Sequence, residues 1–215
     1  MKKIINIICL GCLLLACESY QDKFDLPVLG RSEIVEHFEN GVMVQDTIPH
    51  TVANFSFIDQ DSSVITNETF GNKIYVADFF FTSCPTICPQ MHKQLYRVYE
   101  AYREDPSVGI LSHTIDPSHD TVAVLAHYAD LLDVKSDQWH FVTGRKNDLY
   151  EISETSYMVV ANEDSNAPGG YIHSGAFLLV DKERRIRGVY DGTIPSQVDL
   201  LIKDIERLLI AYENK

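Results

Sequence analysis

Apolar and polar positions over the larger, second part of the chain predict alternating strands and helices. Ile74–Phe81 is a nearly continuous apolar run of strand length, which indicates a central strand buried on both faces. After a short polar and proline-containing segment, apolar residues from Met91 to Tyr102 recur at the spacing of one buried helical stripe. The pattern therefore predicts a buried strand, a tight connection and an amphipathic helix.

The remaining apolar segments extend this alternation to the end of the chain. In chain order, we predict strands at Asn54–Ile58, Val108–Ile115 and Trp139–Val142, helices from Asp120 or Thr121 to Leu132 and at Lys146–Ser156, a loop at Asn162–Gly170, a strand pair at Ile172–Asp181 and Ile186–Tyr190, and a last helix from Pro195 or Ser196 to Tyr212. Strands that alternate with helices, then a late hairpin and a terminal helix, predict an α/β fold with helices on both faces of a mixed sheet.

The N-terminal segment carries a different pattern. Two lysines precede an apolar run from Ile4 to Leu15, which is typical of a secretory signal and shorter than the about 20 apolar residues of a transmembrane helix. The run ends at Ala16 and Cys17, and this ending resembles the bacterial lipoprotein signal, in which the cysteine is lipidated and becomes the mature N-terminus. An ordinary signal peptide cut near Ala16 and an uncleaved anchor are the alternatives.

These patterns divide the chain of 215 residues into three segments. We predict a lipoprotein signal at 1–16, a lipidated N-terminus and tether at 17–50, in which Leu26–Gly30 docks as an extended arm, and one domain at 51–215. The length after removal of the signal suits a single domain with a full core. The net charge of −13 argues against nucleic acid as a partner, because phosphate binding needs a basic face.

The five cysteines divide according to the same segments. Cys9 and Cys12 leave with the signal and Cys17 carries lipid, so Cys84 and Cys88 are the thiols of the mature domain. This pair follows the buried strand and lies at the predicted helix start, where the helix dipole and the exposed N–H groups lower thiol pKa values. The order of elements, with two cysteines at this junction, resembles the thioredoxin superfamily, and the insert before the late hairpin resembles its peroxiredoxin-like branch.

The spacing of the two thiols favours a metal site over a disulfide. Residues four apart in a helix have Cβ atoms about 5–6 Å apart, whereas a disulfide needs about 3.5–4.5 Å. We expect Pro85 at the first helical position. Two thiolates, each about 2.3 Å from a tetrahedral metal, tolerate a wider separation. A structural disulfide and a catalytic dithiol remain as alternatives, and zinc suits these ligands nearly as well as copper.

Among the eight histidines, His173 is the preferred third ligand. It lies between the Pro168–Gly170 loop and the apolar strand Ala176–Val180, whose entry faces the cysteine loop in a thioredoxin-like sheet. His92 is the second candidate, with a solvated helix surface as its alternative, and His113 is expected to be a core or edge histidine. The others lie in the tether, in loops or in segments without a predicted direction: His37, His50, His119, His127 and His140.

Four short motifs resemble the Sco/SenC family. In chain order they are Asp78–Pro89 (DFFFTSCPTICP), Asp116-Pro117 with Asp120-Thr121, Trp139–Gly144 (WHFVTG), and His173-Ser174 followed by apolar residues and Asp181. The cysteine motif is highly specific, and the others occur in the right order. The resemblance covers about Asn54–Leu209.

The resemblance implies a thioredoxin-like domain that binds one copper ion, Cu(I) or Cu(II), through Cys84, Cys88 and His173. Asp116 is expected beside these ligands or on a docking surface, with a turn acid as the alternative. The implied role is that of a metallochaperone for the binuclear copper centre of cytochrome c oxidase, with the copper-bearing subunit and a copper donor as partners. The domain would lie in the cell envelope, on the periplasmic side, anchored to the membrane by lipid on Cys17.

Two other functions remain open from the sequence. One is a membrane-tethered thiol–disulfide reductase, in which Cys84 and Cys88 form the redox-active pair and reduce the copper-site cysteines of the oxidase. The other is a copper or redox sensor. Thioredoxins carry a proline near the late strand that helps hold substrate peptides, but this chain has no proline between Pro168 and Pro195, which weakens the general oxidoreductase reading.

Overall fold

A computed structural model describes residues 26–214. Its strands are β1 (Glu33–Glu39), β2 (Val42–Ile48), β3 (Ser56–Asp59), β4 (Val64–Thr66), β5 (Ile74–Phe80), β6 (Val108–Thr114), β7 (Trp139–Thr143), β8 (Ala161–Glu163), β9 (Tyr171–His173), β10 (Ala176–Val180) and β11 (Ile186–Asp191). Its α-helices are α1 (Cys88–Ala101), α2 (Val122–Leu132), α3 (Lys146–Glu151), which continues as a π-helix over Ile152–Ser156, and α4 (Pro195–Glu213). The predicted signal peptide and Cys17 lie outside the described residues.

Seven strands form one mixed sheet in the order β11-β10-β5-β6-β7-β3-β4. The neighbours β5, β6 and β7 run parallel at its centre. On one side β10 pairs antiparallel with β5, and on the other side β3 pairs antiparallel with β7. The sheet is therefore mixed, as predicted.

The central strand β5 explains why helices cover both faces of the sheet. Every residue of β5 is buried, because successive side chains point into opposite layers. Phe80 contacts the ring of His92 on α1. Phe79 stacks on His113 and meets Tyr157, which follows the α3 segment on the opposite face. The predicted arrangement of helices on both faces is confirmed.

The connection from β5 to α1 differs from its prediction. Helix α1 begins at Cys88 with Pro89 in its first turn, and its first backbone bond runs from the N–H of Met91 to the carbonyl of Ile87. Pro85 therefore precedes the helix, and its predicted helical position was wrong. The physical reason is a turn closed by the N–H of Cys84 and the carbonyl of Phe81, which delays the helix start.

The predicted tether contains a β-hairpin formed by β1 and β2. The strands meet at Asn40 and Gly41, which both have positive φ, as a tight two-residue hairpin turn requires. All hairpin side chains except Val44 are exposed. Before the hairpin, Leu26 is buried and the N–H of Leu29 donates to the carbonyl of Ile186, so this arm lies along the start of β11.

A second short pairing lies where the sequence predicted a loop at Asn162–Gly170 and one continuous strand at Ile172–Asp181. The structure instead has a strand at Ala161–Glu163 and divides the late strand into β9 and β10. Strands β8 and β9 pair antiparallel, with Ala161 opposite His173, and we call this pair the β8–β9 ribbon. Gly169 and Gly170 connect the strands with positive φ, which glycine adopts at little cost. Over residues 26–214, the structure has no helix of the length and apolarity needed to cross a membrane.

Candidate metal centre

Three potential metal ligands converge at the carboxyl end of β5. The sulfur atoms of Cys84 and Cys88 and a ring nitrogen of His173 all lie within 4.8 Å of one another. The Nε2 atom of His173 is 3.3 Å from Sγ of Cys88 and 3.8 Å from Sγ of Cys84. Both cysteines are free thiols. The three residues that the sequence selected are thus brought together across 85–89 positions of the chain.

Cys84 lies in the loop between β5 and α1, where its side chain is 8% exposed. Burial by itself raises the pKa of this thiol, but hydrogen bonds from His173 and from the N–H groups of Thr86 and Cys88 outweigh it and lower the pKa to about 6. Its sulfur also lies 3.6 Å from the hydroxyl of Thr86. Cys84 is therefore mostly thiolate at neutral pH.

Cys88 occupies the first position of α1 and is only 1% exposed. Burial raises its pKa well above the usual range, and the neighbouring Cys84 and Asp78 charges add to that rise. The sequence argument from the helix dipole predicted two lowered pKa values. The prediction fails for Cys88, because the thiol is desolvated and lies next to a thiolate that already carries the negative charge.

His173 reaches the thiols from the end of the β8–β9 ribbon. Its Nδ1 atom lies 3.3 Å from the carbonyl oxygen of Ser174. Since a carbonyl can only accept, Nδ1 would carry the ring proton when Nε2 binds a metal. In the metal-free site, Nε2 lies where it can donate to the Cys84 thiolate. The ring of Phe81 stands edge-on at 5.7 Å and limits the rotation of the imidazole.

The buried carboxylate of Asp120 holds the loop that carries Cys84. One of its oxygens accepts hydrogen bonds from the backbone N–H of Thr82 at 3.1 Å and from the hydroxyl of Thr114 at 2.5 Å. The other accepts from the Thr82 hydroxyl and lies 3.0 Å from Nδ1 of His119. The sequence suggested Asp120 or Thr121 as a helix cap, and Thr121 is the residue that caps α2. The role of Asp120 in joining two loops depends on contacts between distant residues and had no local signal.

Asp116 makes no contact with the three candidate ligands that the structure describes. Its carboxylate accepts a hydrogen bond from the N–H of His119. Burial, and then the interaction with Asp116, raise the pKa of Tyr171, two residues before His173. Asp116 thus links the loop after β6 to the β8–β9 ribbon.

The other two histidines considered as candidates lie inside the core. His92 is 1% exposed, contacts the hydroxyl of Tyr128 and lies 3.5 Å from the carboxylate of Asp78. It is therefore neither part of the described cluster nor a solvated surface residue. His113 is buried among aromatic rings, as predicted, and burial lowers its pKa to about 4.

Two sulfurs and one imidazole nitrogen suit Cu(I), Cu(II) and zinc. Three protein ligands leave at least one coordination position for an incoming group. The thiol pair can also exchange with a disulfide, because Cys84 is nucleophilic and Cys88 lies beside it. The residues present therefore fit both a metal site and a redox pair.

Family comparison agrees with this geometry. The model of the family described as SCO1/SenC matches residues 44–209. The match spans well over half of the chain, so the chain belongs to the SCO1/SenC family. The SCO1 protein homolog of Bacillus subtilis (strain 168) is 27% identical over 168 residues, which cover 77% of this chain and 86% of that protein.

Solved structures share the thioredoxin-like fold. A SCO1/SenC family lipoprotein from Bacillus anthracis str. Ames has a TM-score of 0.69 at 25% identity, covering 74% of this chain and 95% of that chain. BsSco, described with a disulfide switch and as a member of the Sco family of cytochrome c oxidase assembly proteins, has a TM-score of 0.66 at 26% identity, covering 74% and 93%. Arabidopsis thaliana ScoI, solved with copper bound, has the same fold at 23% identity, with a TM-score of 0.61 and coverage of 73% and 99%.

Proposed function

We propose that this protein is a membrane-tethered copper metallochaperone that holds one copper ion through Cys84, Cys88 and His173. The observation that carries the proposal is the convergence of these three ligand atoms within 4.8 Å of one another. Thiolate ligands select Cu(I), and imidazole suits both oxidation states of copper. The Arabidopsis relative with bound copper supports copper as the cargo.

Proton release accompanies loading of this site. Cys84 is mostly thiolate at pH 7, because its pKa is lowered to about 6. Cys88 is protonated there, because burial raises its pKa, so it must lose a proton when it becomes a ligand. Copper binding therefore strengthens as the pH rises. The open position lets a ligand of a second protein bind before Cys84, Cys88 or His173 leaves, so copper passes on without entering water.

We infer that the acceptor is the copper-bearing subunit of cytochrome c oxidase. BsSco, which shares the fold, is described as a cytochrome c oxidase assembly protein, and this supports the assignment. We further propose that 1–16 is a signal peptide, that Cys17 is lipidated, and that 51–215 is the functional domain in the cell envelope. The description of the Bacillus anthracis relative as a lipoprotein supports the lipid anchor.

A thiol–disulfide reductase is the second candidate, and the unequal pKa values of the two thiols favour it. The Cys84 thiolate would attack a disulfide of the target and form a mixed disulfide, releasing one target thiolate. Cys88, after losing its proton, would then attack Cys84 and release the second target thiolate. The domain ends as a Cys84–Cys88 disulfide and the target gains two electrons.

Replacing the histidine separates the two candidates. For His173→Ala, a copper carrier should lose at least about tenfold in Cu(I) affinity and change its Cu(II)–thiolate absorption bands. A reductase should keep its ability to reduce a disulfide substrate. His37→Ala, on the exposed hairpin, is the matched control and should leave both properties unchanged.

The wild-type protein loaded with Cu(II) decides the central claim. Thiolate-to-copper charge-transfer bands with one copper per chain are expected. Absence of these bands, together with zinc as the only bound metal after purification, would overturn the copper proposal. Unchanged copper affinity in His173→Ala would remove the histidine from the proposed ligands.

A further inference from the structure

Phe81 lies between the two sides of the metal centre. It is the first residue after β5, three positions before Cys84, and its side chain is 1% exposed. Its carbonyl oxygen accepts a hydrogen bond from the N–H of Cys84 at 3.2 Å, so the backbone of Phe81 closes the turn of the cysteine loop. The position of Phe81 is therefore fixed from the thiol side.

The ring of Phe81 supports three residues of the histidine side. Its centroid is 5.7 Å from that of His173 and 5.1 Å from that of Tyr171, both on β9. A Cβ added at Gly169 would lie 2.9 Å from Cε2 of Phe81, so the backbone that connects β8 to β9 also comes close to this ring. The β8–β9 ribbon thus rests on one aromatic ring that belongs to the cysteine loop.

The other contacts of the His173 ring hold it less firmly against the cysteine loop. Its Nδ1 atom contacts the carbonyl of Ser174, the next residue of the same segment. Its Nε2 atom faces the sulfurs of Cys84 and Cys88, and these contacts are the ones that a bound metal replaces. Over residues 26–214, Phe81 supplies the one aromatic contact of this imidazole. Packing against a buried ring is therefore what selects the orientation of His173.

We propose that Phe81 is a positioning residue that holds His173 at the thiols and thereby sets how well the centre binds Cu(II) relative to Cu(I). The inference rests on the proposed copper-binding function and adds a residue that is not itself a ligand. Thiolates select Cu(I), whereas Cu(II) prefers sites with nitrogen ligands. Displacement of the imidazole from the thiols should therefore weaken Cu(II) binding more than Cu(I) binding.

Phe81→Leu tests the proposal, because it keeps an apolar side chain in the core but removes the ring. Residues that orient a metal ligand contribute about 10–100-fold to metal affinity. The Cu(II) affinity of the variant should therefore fall at least about tenfold more than its Cu(I) affinity. The reduction potential of the bound copper should rise by about 59 mV for each tenfold difference between the two losses. Competition with a Cu(I) chelator and with a Cu(II) chelator measures the affinities.

Phe80→Leu is the matched control. Phe80 is the preceding residue and is 0% exposed, but its ring contacts His92 and Phe141 instead of the ribbon. The free energy of unfolding should fall in both variants, since each loses one buried ring. Only Phe81→Leu should change the ratio of Cu(II) affinity to Cu(I) affinity. Phe81→Met fills more of the same volume without a rigid ring, and it should change the ratio in the same direction even if Phe81→Leu does not fold.

A double-mutant cycle tests whether the effect passes through the histidine. In the His173→Ala background, Phe81→Leu should leave the affinity ratio unchanged, because no imidazole remains to be positioned. A general loss of packing would instead change the ratio equally in both backgrounds. In the metal-free protein, nuclear Overhauser contacts between the ring protons of His173 and the β-protons of Cys88 should be present in the wild type and in Phe80→Leu. They should be lost in Phe81→Leu.

Three results would overturn the proposal. These are an unchanged affinity ratio in both Phe81→Leu and Phe81→Met, an equal change in Phe80→Leu, or the same effect of Phe81→Leu with and without His173. Failure of the proposed function is seen separately, as wild-type protein that binds neither Cu(I) nor Cu(II). The contacts between His173 and Cys88 in the metal-free protein would still report whether Phe81 positions the histidine.

Discussion

The two sides of the metal centre are built differently. On the thiol side, Cys88 begins a helix packed on the central sheet, and the loop of Cys84 is tied to the core by the buried Asp120. On the histidine side, His173 ends a two-stranded ribbon of three residues per strand with an exposed outer face. An isolated pair of two strands has little stability of its own. The thiols are therefore held by the core, and the histidine is held by few contacts at the surface.

This difference would suit the proposed copper carrier. Two thiolates held by the core would keep copper from being lost to water, and a third ligand near the surface would be the first that an acceptor meets. Larger effects are therefore expected from changes on the thiol side than from changes on the histidine side.

Cys88→Ala is expected to have the largest effect. Loss of a hydrogen-bond partner of a metal ligand costs about 10–100-fold in affinity, so loss of a thiolate ligand should cost at least about a thousandfold. Competition with a Cu(I) chelator measures the change, and circular dichroism checks that the fold is kept. A variant that binds Cu(I) as tightly as the wild type would show that the thiol side does not hold the metal.

Asp120→Ala should destabilise the domain by about 3 kcal/mol, because it leaves the hydrogen-bond donors of Thr82 and Thr114 without their buried acceptor. The free energy of unfolding of Asp120→Asn should lie between those of Asp120→Ala and the wild type. Asp130→Ala, at an exposed carboxylate of α2, is the control and should change the free energy of unfolding by less than about 0.5 kcal/mol. Urea unfolding of the three variants measures these values; equal effects at Asp120 and Asp130 would contradict the structural role.

His173→Ala should raise the pKa of Cys84. Burial already pushes this pKa upward, and removal of the His173 hydrogen bond leaves that effect less opposed. Alkylation by iodoacetamide measures the thiolate: in the wild type its rate should rise through a pH of about 6, and in the variant the midpoint should move about one unit higher or more. The same midpoint in both proteins would mean that the two sides of the centre are not coupled.

Gly169→Ala tests the contact between the two sides. A Cβ at this residue would lie 2.9 Å from Cε2 of Phe81 and 3.1 Å from Cδ of Pro85, in the cysteine loop, and φ is +80°. Gly170→Ala shares the unfavourable φ of +85° but meets no atom within 4 Å. Backbone strain should lower the free energy of unfolding of both variants by about 1 kcal/mol. Only Gly169→Ala should also weaken Cu(I) binding. Equal Cu(I) affinities of the two variants would show that the contact of Gly169 with Phe81 and Pro85 does not couple the ribbon to the cysteine loop.

Local patterns predicted much of the fold and the identity of the candidate ligands. The apolar run at β5 and the stripe on α1 depend on residues within a few positions, and both were placed correctly. The β1–β2 hairpin has a local signal, the Asn40-Gly41 pair, although the polar composition of the segment predicted a tether. The short strand β8 carried no such signal, because its three residues gain their pairing from β9.

By itself, the sequence determined which side chains were candidates for the site: two thiols four positions apart after a buried strand, and one histidine at the entry of a late strand. Only the tertiary structure decided how those groups behave. Contacts between residues from separate loops desolvate Cys88 and supply the hydrogen bonds that lower the pKa of Cys84. The hydrogen bond from Thr82 to Asp120 also joins separate loops. Burial and hydrogen bonding depend on distance in space, and a local sequence pattern specifies only distance along the chain.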